Sequence, residues 1–392
     1  MVWSRAYIFP YLMAIYLVYS TINSFSIYSL GVLANIVMVL LLCITGFAIR
    51  DKVANDLTEA RIFFIGWSLV FLISLVFSAT RPLVPMFVSF VFCCFYLCLN
   101  DETQHKIFKL FVWLLSCLVL LSAVEYVLYS LFGKGVVLSV VTRVQPQGDT
   151  NFYHLFFNVI AQSSVPRFQG LFKEPGNMGT ACAFMLFATW KNKSLRFPFY
   201  VFLVCGLLSL SLGFYVFLMI FVFTSIKPNV KNVVAALLIA LPVVFIFKDS
   251  FEVRILERIS RADSLEDLDD RTTYSFDRSF KSAMENGELW TGVGAGNLPK
   301  SVSTDGGNAG AKKWVYQYGI ISLIIIFYIY NIIYFIRTGR KFEYYDIVFL
   351  FVFWVCFYKS VIFTTPSLFV IYSIMPLLNK ADVVIDSNDN NV

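Results

Sequence analysis

Long apolar runs separated by polar connections fill most of the chain. We place twelve such runs at about 6–22, 27–49, 62–79, 83–99, 107–131, 177–190, 197–209, 213–226, 231–247, 314–336, 345–361 and 365–379. A helix of about 20 apolar residues crosses the hydrocarbon core of a bilayer. The pattern therefore predicts an all-α polytopic membrane protein with about 12 transmembrane helices.

The stretch 197–226 is long enough to form either one helix or two. We divide it between Ser209 and Gly213, because Ser and Gly let a chain turn where neighbouring helices satisfy the backbone. The basic residues favour this division. With the N-terminus inside, they concentrate on the cytoplasmic connections, whereas the short outer connections hold only Arg81 and Lys359. A single helix would move the basic cluster at 337–341 to the outside. Both termini are thus predicted to be cytoplasmic.

This division gives three helical blocks, two long outer loops and a tail. The segments are 1–131 (transmembrane helices 1–5), 132–176 (first long periplasmic loop), 177–247 (helices 6–9), 248–313 (second long periplasmic loop), 314–380 (helices 10–12) and 381–392 (cytoplasmic tail, expected to be disordered). Only the two outer loops have enough polar residues for chemistry, so we expect the function there.

Composition excludes several classes of protein. The chain is 58% hydrophobic and 14% charged, with a mean hydropathy of +0.73, whereas soluble domains carry roughly 25% charged residues. A cytosolic enzyme, a disordered chain and a nucleic-acid binder are excluded. All eight cysteines lie in apolar runs, which predicts free thiols rather than a disulfide scaffold. With two histidines in the chain, no Cys/His spacing indicates a metal site.

The first outer loop holds an apolar pattern at helical spacing over 151–160. It predicts a short amphipathic helix, lying either in the membrane interface or against the bundle. His154 falls off the apolar stripe, which leaves a proton-transfer role and a solvated surface position as alternatives. Glu125 lies near the outer end of the fifth run, where reaching out to the interface is the expected behaviour and a place in a polar cavity is the alternative.

The run RFQGLFKEPGNMG at 167–179, named here the first motif, follows in the same loop. It brings Arg167, Lys173 and Glu174 within eight residues, beside an apolar segment. Charged groups at such a place usually pair with each other or face a wet cavity. The alternative is a salt-bridged loop that caps the bundle, with Pro175 starting the next helix.

The second outer loop predicts a helix over 271–286. One face would carry Phe276, Phe280, Ala283 and Met284. The opposite face would carry Arg271 and Arg278, with Lys281 at its edge. A guanidinium matches phosphate oxygens with two parallel donors, so this face suits an anionic lipid headgroup. The alternative is a solvated charged face, neutralised by Asp267, Asp269, Asp270 and Asp277.

A glycine-rich run follows at 289–297. Gly292, Gly294 and Gly296 are not part of a nucleotide loop, because no strand precedes them and no Lys-Ser/Thr pair follows. They predict a turn at which the backbone approaches a ligand or another helix. Asp305 and Asn308 lie further along the same loop.

Two of these segments resemble a known family. The first motif resembles the RxxGxFxEPxxxG signature of bacterial O-antigen polymerases, the Wzy class. The run GVGAGN, followed by a span that opens at WVYQYG, is similar to the second large periplasmic loop of the O-antigen polymerase and ligase superfamily. Arg167, Gly170, Glu174 and Pro175 match the first signature. Arg271 and the glycines within 292–297 match the second loop.

The resemblance implies an inner-membrane glycosyltransferase of the GT-C type that acts in lipopolysaccharide biosynthesis. It would polymerise undecaprenyl-diphosphate-linked repeat units on the periplasmic face, with a flippase and a chain-length regulator of the same pathway as partners. Ligases of the superfamily carry a His shortly before the span after the second loop, where this chain has Asn308. The resemblance therefore favours a polymerase over a ligase.

The expected site uses no cofactor and no metal. Glu174 is the first candidate for the general base, with Asp305 and His154 behind it, and Arg167 is counted with the catalytic groups. The expected diphosphate-binding residues are Arg167, Lys173, Arg271, Arg278 and Lys281. The expected positioning residues are Gly170, Pro175, Asn177, Gly292, Gly294, Gly296 and Asn308. An O-antigen ligase, a lipid-linked oligosaccharide flippase and a non-catalytic scaffold are the rival interpretations.

Overall fold

A computed structural model gives the fold of most of the chain. It describes residues 5–22, 40, 53–54, 56–77, 84–143, 150–162, 167–172, 174–225, 274–294, 310–339, 342–359 and 366–389. These residues form eleven α-helices and one three-stranded sheet. The predicted runs at 27–49 and 231–247 lie largely or wholly outside the described residues, as does most of the second outer loop.

Helices account for nearly all of the described structure. They are α1 (Arg5–Thr21), α2 (Thr58–Phe77), α3 (Val84–Leu97), α4 (Asp101–Phe132), α5 (Pro175–Thr189), α6 (Arg196–Leu208), α7 (Leu212–Ser225), α8 (Tyr274–Glu285), α9 (Gly310–Thr338), α10 (Tyr344–Lys359) and α11 (Pro366–Asp389). Short 3-10 turns occupy Gly133–Val136, Lys193–Leu195 and Glu288–Trp290. Helix α11 continues to Asp389, into the segment 381–392 that was predicted to be a cytoplasmic tail.

In the part of the chain that the structure describes, three helices, α2, α4 and α9, are long and apolar enough to cross a membrane. Shorter apolar helices lie within α1, α3, α7, α10 and α11. Large apolar side chains such as Leu75 and Val76 on α2, and Val124 and Val127 on α4, are exposed. Aromatic side chains such as Tyr330 fill the interior between the helices. This apolar exterior is what helices in contact with lipid require.

The stretch 197–226 forms two helices, as predicted. Helix α6 ends at Leu208 and α7 begins at Leu212, with Leu210 in the left-handed region at φ 47°. A Cβ at Gly206 would lie 2.1 Å from a ring atom of Phe214, so the two helices meet closely beside the turn. Residues 209–211 are named here the helix break.

A buried charge cluster joins four helices at one end of the bundle. The Arg337 guanidinium contacts Glu59 Oε2 at 2.7 Å through Nε and at 2.6 Å through Nη2. Its Nη1 donates to Gln104 Oε1 at 2.9 Å and to the Ser373 carbonyl at 2.8 Å. Arg337 is thus buried among α2, α4 and α11 rather than exposed in the basic cluster at 337–341. Removing one partner of such a buried pair costs about 3–5 kcal/mol in general.

The first long loop contains an antiparallel sheet instead of the predicted helix over 151–160. Its strands are β1 (Ser139–Arg143), β2 (Thr150–His154) and β3 (Val159–Ala161), in the order β1-β2-β3. Residues 152–155 are buried consecutively, so this strand lacks the alternation that identifies a half-exposed one. Its aromatic residues, and the β-branched residues of β1 and β3, favour strands. The apolar spacing that resembled a helix arises from burial on both faces of the sheet.

Candidate outer-loop site

One face of the long helix α4 carries the first long loop. Ser122, Glu125, Tyr126 and Tyr129 stand at positions i, i+3, i+4 and i+7, so they follow one side of the helix. These four residues are named here the α4 seam. Gln104, in the buried charge cluster, lies 18 residues before Ser122, which is about 27 Å along the helix axis. The seam therefore lies at the other end of α4 from that cluster.

The seam binds both backbone groups of Phe157, in the turn between β2 and β3. Glu125 Oε2 accepts a hydrogen bond from the Phe157 N–H at 2.7 Å. The Ser122 hydroxyl donates to the Phe157 carbonyl. Asn158 Nδ2 donates to the Ser122 carbonyl at 3.3 Å, and the Asn158 side chain is fully buried. Glu125, expected to reach out to the interface, instead has a specific backbone partner.

Aromatic contacts extend this attachment along the seam. The rings of Tyr126 and Phe168 lie 5.5 Å apart, and those of Tyr129 and Tyr153 lie 6.1 Å apart. Phe168 belongs to the first motif and Tyr153 to β2. The seam therefore holds the sheet and the first motif against the same helix.

Gly170 brings the first motif close to the seam. Its φ is +56°, and a Cβ there would lie 3.4 Å from Ser122 Cβ and Oγ. Its carbonyl accepts a hydrogen bond from the Val159 N–H at 2.9 Å, which ties the motif to β3. Glycine suits this position because it adopts positive φ without strain.

Arg167 lies half-buried at the helix break. Its Nη2 donates to the Leu210 carbonyl at 3.0 Å and to the Ser209 carbonyl at 3.5 Å. The C-terminal end of a helix carries partial negative charge and favours a cation. The guanidinium is therefore held in a fixed position at the end of α6.

The far end of the first motif reaches the same helix break. A Cβ at Gly179, in α5, would lie 2.6 Å from Ser211 Cβ and 3.0 Å from Ser209 Oγ. Helix α5 can therefore approach the break closely only with glycine at this position. Arg167 and Gly179, near the two ends of the first motif, therefore both contact the helix break.

Glu174 lies where the first motif enters α5. It is the N-cap residue, and Pro175 is the first residue of the helix, as the alternative of a loop that caps the bundle had it. The Glu174 carbonyl accepts hydrogen bonds from Asn177 N–H at 3.1 Å and Met178 N–H at 3.2 Å. Both Glu174 and Asn177 are half-buried. The carboxylate is thus placed at a helix N-terminus, where negative charge is favoured.

His154 is buried at the end of β2, which contradicts the solvated surface position, one of its two alternatives. Its carbonyl accepts from the Leu138 N–H at 2.9 Å, and it pairs with Ser139 and Val159 in the sheet. Burial lowers the pKa of the His154 imidazole, because the charged ring loses hydration. The neutral form of the ring is therefore favoured. His154 pairs with Val159 of β3, the residue whose N–H binds the Gly170 carbonyl.

The glycines of the second loop pack against α9. Gly292 has φ +90°, and a Cβ there would lie 2.7 Å from the Gln317 carbonyl oxygen. Gly319 interrupts α9 at φ +85°, and a Cβ there would lie 2.5 Å from the Trp290 carbonyl oxygen. Val293 N–H donates to the Tyr316 carbonyl at 2.8 Å. The backbone of the glycine run was predicted to approach a ligand or another helix closely, and it approaches the helix α9. This contact joins the run GVGAGN to the run WVYQYG.

The amphipathic helix of the second loop spans Tyr274–Glu285, within the predicted 271–286. Phe276 and Ala283 are buried, and Phe276 stacks edge-on against Tyr316 at 5.5 Å. The apolar face therefore packs on α9. Met284 is 59% exposed, which corrects its assignment to that face. It lies one residue past Ala283, too far around the helix to reach α9.

The polar face of α8 exposes Arg278 and Lys281. Asp277, considered as a neutralising partner for the arginines, forms an ion pair with Lys312 at 3.7 Å. Gly294 is buried at φ +98°, beyond Gly292. Lys173, Arg271, Gly296, Asp305 and Asn308 lie outside the described residues.

The described site residues therefore form two groups. The first group consists of Arg167, Gly170, Glu174, Pro175, Asn177 and His154, which belong to the first loop and the start of α5. The second group consists of Arg278 and Lys281 on α8, and of Gly292 and Gly294, which follow the 3-10 turn Glu288–Trp290 and lie against α9. Sequence reasoning missed Ser122, Asn158 and the carbonyls of the helix break. The i, i+3, i+4, i+7 polar spacing within an otherwise apolar run was the available signal for the seam. Among the described residues, no three His, Cys, Asp or Glu side chains are grouped to hold a metal ion.

Comparisons of the chain with protein families, with curated protein sequences and with solved structures find no match.

The seven cysteines in the described part of the chain are free thiols, as predicted.

Proposed function

We propose that the chain is an inner-membrane glycosyltransferase of the O-antigen polymerase (Wzy) class. It spans the membrane about 12 times in a GT-C arrangement, with both termini in the cytoplasm and two long loops in the periplasm. Its substrates are undecaprenyl-diphosphate-linked oligosaccharides, which it joins into O-antigen or a related surface polysaccharide. A flippase supplies the repeat units and a chain-length regulator limits the polymer.

The observation that supports this function most is the compact folding of the first motif. Arg167 and Gly179, twelve residues apart, both contact the helix break. Between them, Gly170 lies against Ser122 and Glu174 begins α5. A fixed cation and a carboxylate thus belong to one structural unit, at the end of α4 away from the buried charge cluster. A site that recognises a charged lipid carrier outside the membrane core requires such a unit.

The transfer step follows from these groups. The acceptor hydroxyl oxygen attacks the anomeric carbon of the donor sugar, and the bond from that carbon to the diphosphate oxygen breaks. The undecaprenyl diphosphate leaves with the electron pair, while the hydroxyl proton passes to Glu174. Preorganised cations stabilise the charge on the departing group. Arg167, fixed by helix-end carbonyls, and the exposed Arg278 and Lys281 supply them, together with Lys173 and Arg271.

The choice of base rests on position. A general base must lie within hydrogen-bond reach of the proton it removes. Glu174 is half-buried at the start of a helix, whereas His154 is buried in the sheet and so ranks below it. Asp305 remains the second candidate, from the other loop. Catalysis needs no metal in this scheme, because the cations take the role that a metal ion has in other glycosyltransferases.

The lipid-linked material that accumulates in a deletion strain tests the function. A polymerase predicts accumulation of undecaprenyl diphosphate carrying a single repeat unit, on the outer leaflet. Re-expression of the wild type or of E102Q, an exposed position at the other end of α4, restores polymer, whereas E174Q at equal abundance does not. Long lipid-linked polymer would instead identify a ligase, and repeat units trapped on the inner leaflet would identify a flippase.

A further inference from the structure

The Glu125 carboxylate binds a part of the chain that is far away in sequence. It accepts the N–H of Phe157, 32 residues later, at 2.7 Å. The Phe156 N–H also hydrogen-bonds to this carboxylate. Two consecutive backbone donors therefore converge on one side chain of α4. Hydrogen bonds of an amide to a charged acceptor are about twice as strong as those between neutral groups.

The same turn is held from its other side by Ser122. The Ser122 hydroxyl donates to the Phe157 carbonyl, and its own carbonyl accepts from Asn158. The N–H and the carbonyl of Phe157 thus both bind α4. The turn at 155–158 has one position against the helix, set by the seam.

From this turn a short chain of contacts leads to the first motif. Val159 is the first residue after the turn. Its N–H donates to the Gly170 carbonyl at 2.9 Å. Gly170 lies between Arg167 and Glu174, three and four residues away respectively. A shift of the turn therefore moves Gly170, and with it the segment that carries both charged groups.

We propose that Glu125 is a positioning residue, which holds the turn at 155–158 and thereby sets the place of the first motif and its Glu174. Glu125 itself takes no part in bond making. This inference rests on the proposed function only for its catalytic consequence. The attachment of the motif to α4 is a property of the fold and is measured without substrate.

Hydrogen exchange of the purified full-length protein in lipid nanodiscs measures the attachment. In E125A the amides of 156–159 and of the first motif are expected to exchange at least about tenfold faster than in the wild type, because the anchoring acceptor is lost. E125Q keeps an oxygen that accepts from Phe157 N–H, and is expected to restore most of the protection. E102A, an exposed glutamate on the same helix, is the control and leaves these amides unchanged. Exchange in 289–294, attached to α9, should stay the same in all three variants.

Steady-state kinetics on a lipid-linked repeat unit measures the consequence. E125A is expected to lower kcat at least about tenfold, with KM within about twofold, and E125Q to recover most of kcat. Wild-type exchange in E125A overturns the inference, as does faster exchange with an unchanged kcat. The inference is also overturned if E125Q loses as much kcat as E125A. Glutamine keeps the hydrogen-bond acceptor but not the carboxylate, so a role in proton transfer would then explain the result. If the wild type elongates no repeat unit, the proposed function fails, and the exchange measurement alone decides on the anchor.

Discussion

The two long loops, 132–176 and 248–313, attach to the helical bundle in different ways. The first loop is held by side chains of α4 that bind its backbone, with Glu125 and Ser122 on either side of Phe157. The second, besides the side-chain packing of α8 on α9, has a contact of backbone against backbone, where Gly292 and Gly319 meet without any side chain between them. Side-chain anchors tolerate small shifts, because rotamers adjust. A contact between two backbones has no such freedom, so the second loop should be the more sensitive to a single added methyl group.

G292A is expected to have the largest effect. A Cβ at Gly292 meets the Gln317 carbonyl oxygen at 2.7 Å and the Gly319 nitrogen at 2.7 Å, so backbone must move. The strained backbone conformation costs about 1–3 kcal/mol, and the overpacking costs about as much again. The measurement is the exchange rate of the Val293 amide, together with the apparent Tm in detergent. Gly287 has φ +73° with open space around it, so G287A measures only the cost of placing a residue with a Cβ at positive φ, without overpacking. Equal effects of G292A and G287A would contradict the close contact.

G170A should destabilise the first loop less. Its φ of +56° costs about 1–2 kcal/mol for a residue with a Cβ. The nearest atom, on the Ser122 side chain, lies at 3.4 Å, an ordinary contact distance. G170A is therefore expected to resemble G287A in its effect on Tm, while speeding exchange at the Val159 amide. A loss of stability in G170A as large as that in G292A would contradict the distinction between the two loops.

R278K tests the exposed cation of the second loop. Lysine keeps the positive charge but lacks the two-pronged geometry that matches a diphosphate. Polymer formation is expected to fall about tenfold, with little change in Tm, because Arg278 is exposed. The same result is expected for R271K. Normal polymer in cells carrying both substitutions would contradict bidentate binding.

The buried His154 gives the first loop a pH dependence. Because burial lowers its pKa in the folded protein, the unfolded chain binds the proton more tightly. Stability is therefore full above about pH 6.5 and falls as pH drops below that value, by at most about 1.4 kcal/mol per pH unit. Tm measured between pH 7.5 and 5 should fall in the wild type and in H105Q, the other histidine, and should fall less in H154Q. An equal slope in H154Q would exclude His154 as the cause.

D277N should have the smallest effect. The Asp277–Lys312 pair is 3.7 Å long, and both side chains are partly exposed. Such pairs contribute about 0–1 kcal/mol, and salt screens them. D277N is expected to change Tm slightly at low salt and not at all near 1 M salt. E285Q, at the far end of α8, is the matched control. A large effect that persists at high salt would mean that Asp277 has a second structural role.

The sequence predicts the helices better than the loops. Apolar runs identify α2, α4 and α9, because length and hydropathy are local properties, and Ser and Gly mark the break after α6. The sheet at 139–161 could not be predicted, since β2 is buried on both faces and its apolar spacing imitates a helix. The burial of Arg337 was also missed. Its partners Glu59 and Gln104 lie more than 200 residues earlier, and only tertiary packing brings them together.

Within the site, local features were predicted and contacts were not. Pro175 at the first turn of α5 and the close approach at Gly292 both follow from the residue types. The partners of Arg167 at the helix break, and of Glu125 in the β2–β3 turn, are set by how helices pack. The charged residues of the first motif therefore indicate where chemistry is expected, while their orientation depends on α4 and α6.

Elongation of a defined substrate by the purified protein tests the central claim most directly. The protein in nanodiscs is incubated in EDTA with an undecaprenyl-diphosphate-linked repeat unit of known structure, and the products are separated by size. A ladder of lipid-linked oligomers, spaced by one repeat unit and absent with E174Q, is the predicted result. A ladder that forms only with added Mg²⁺ would contradict catalysis without metal. Repeat units that keep their original length under all conditions would contradict the polymerase itself.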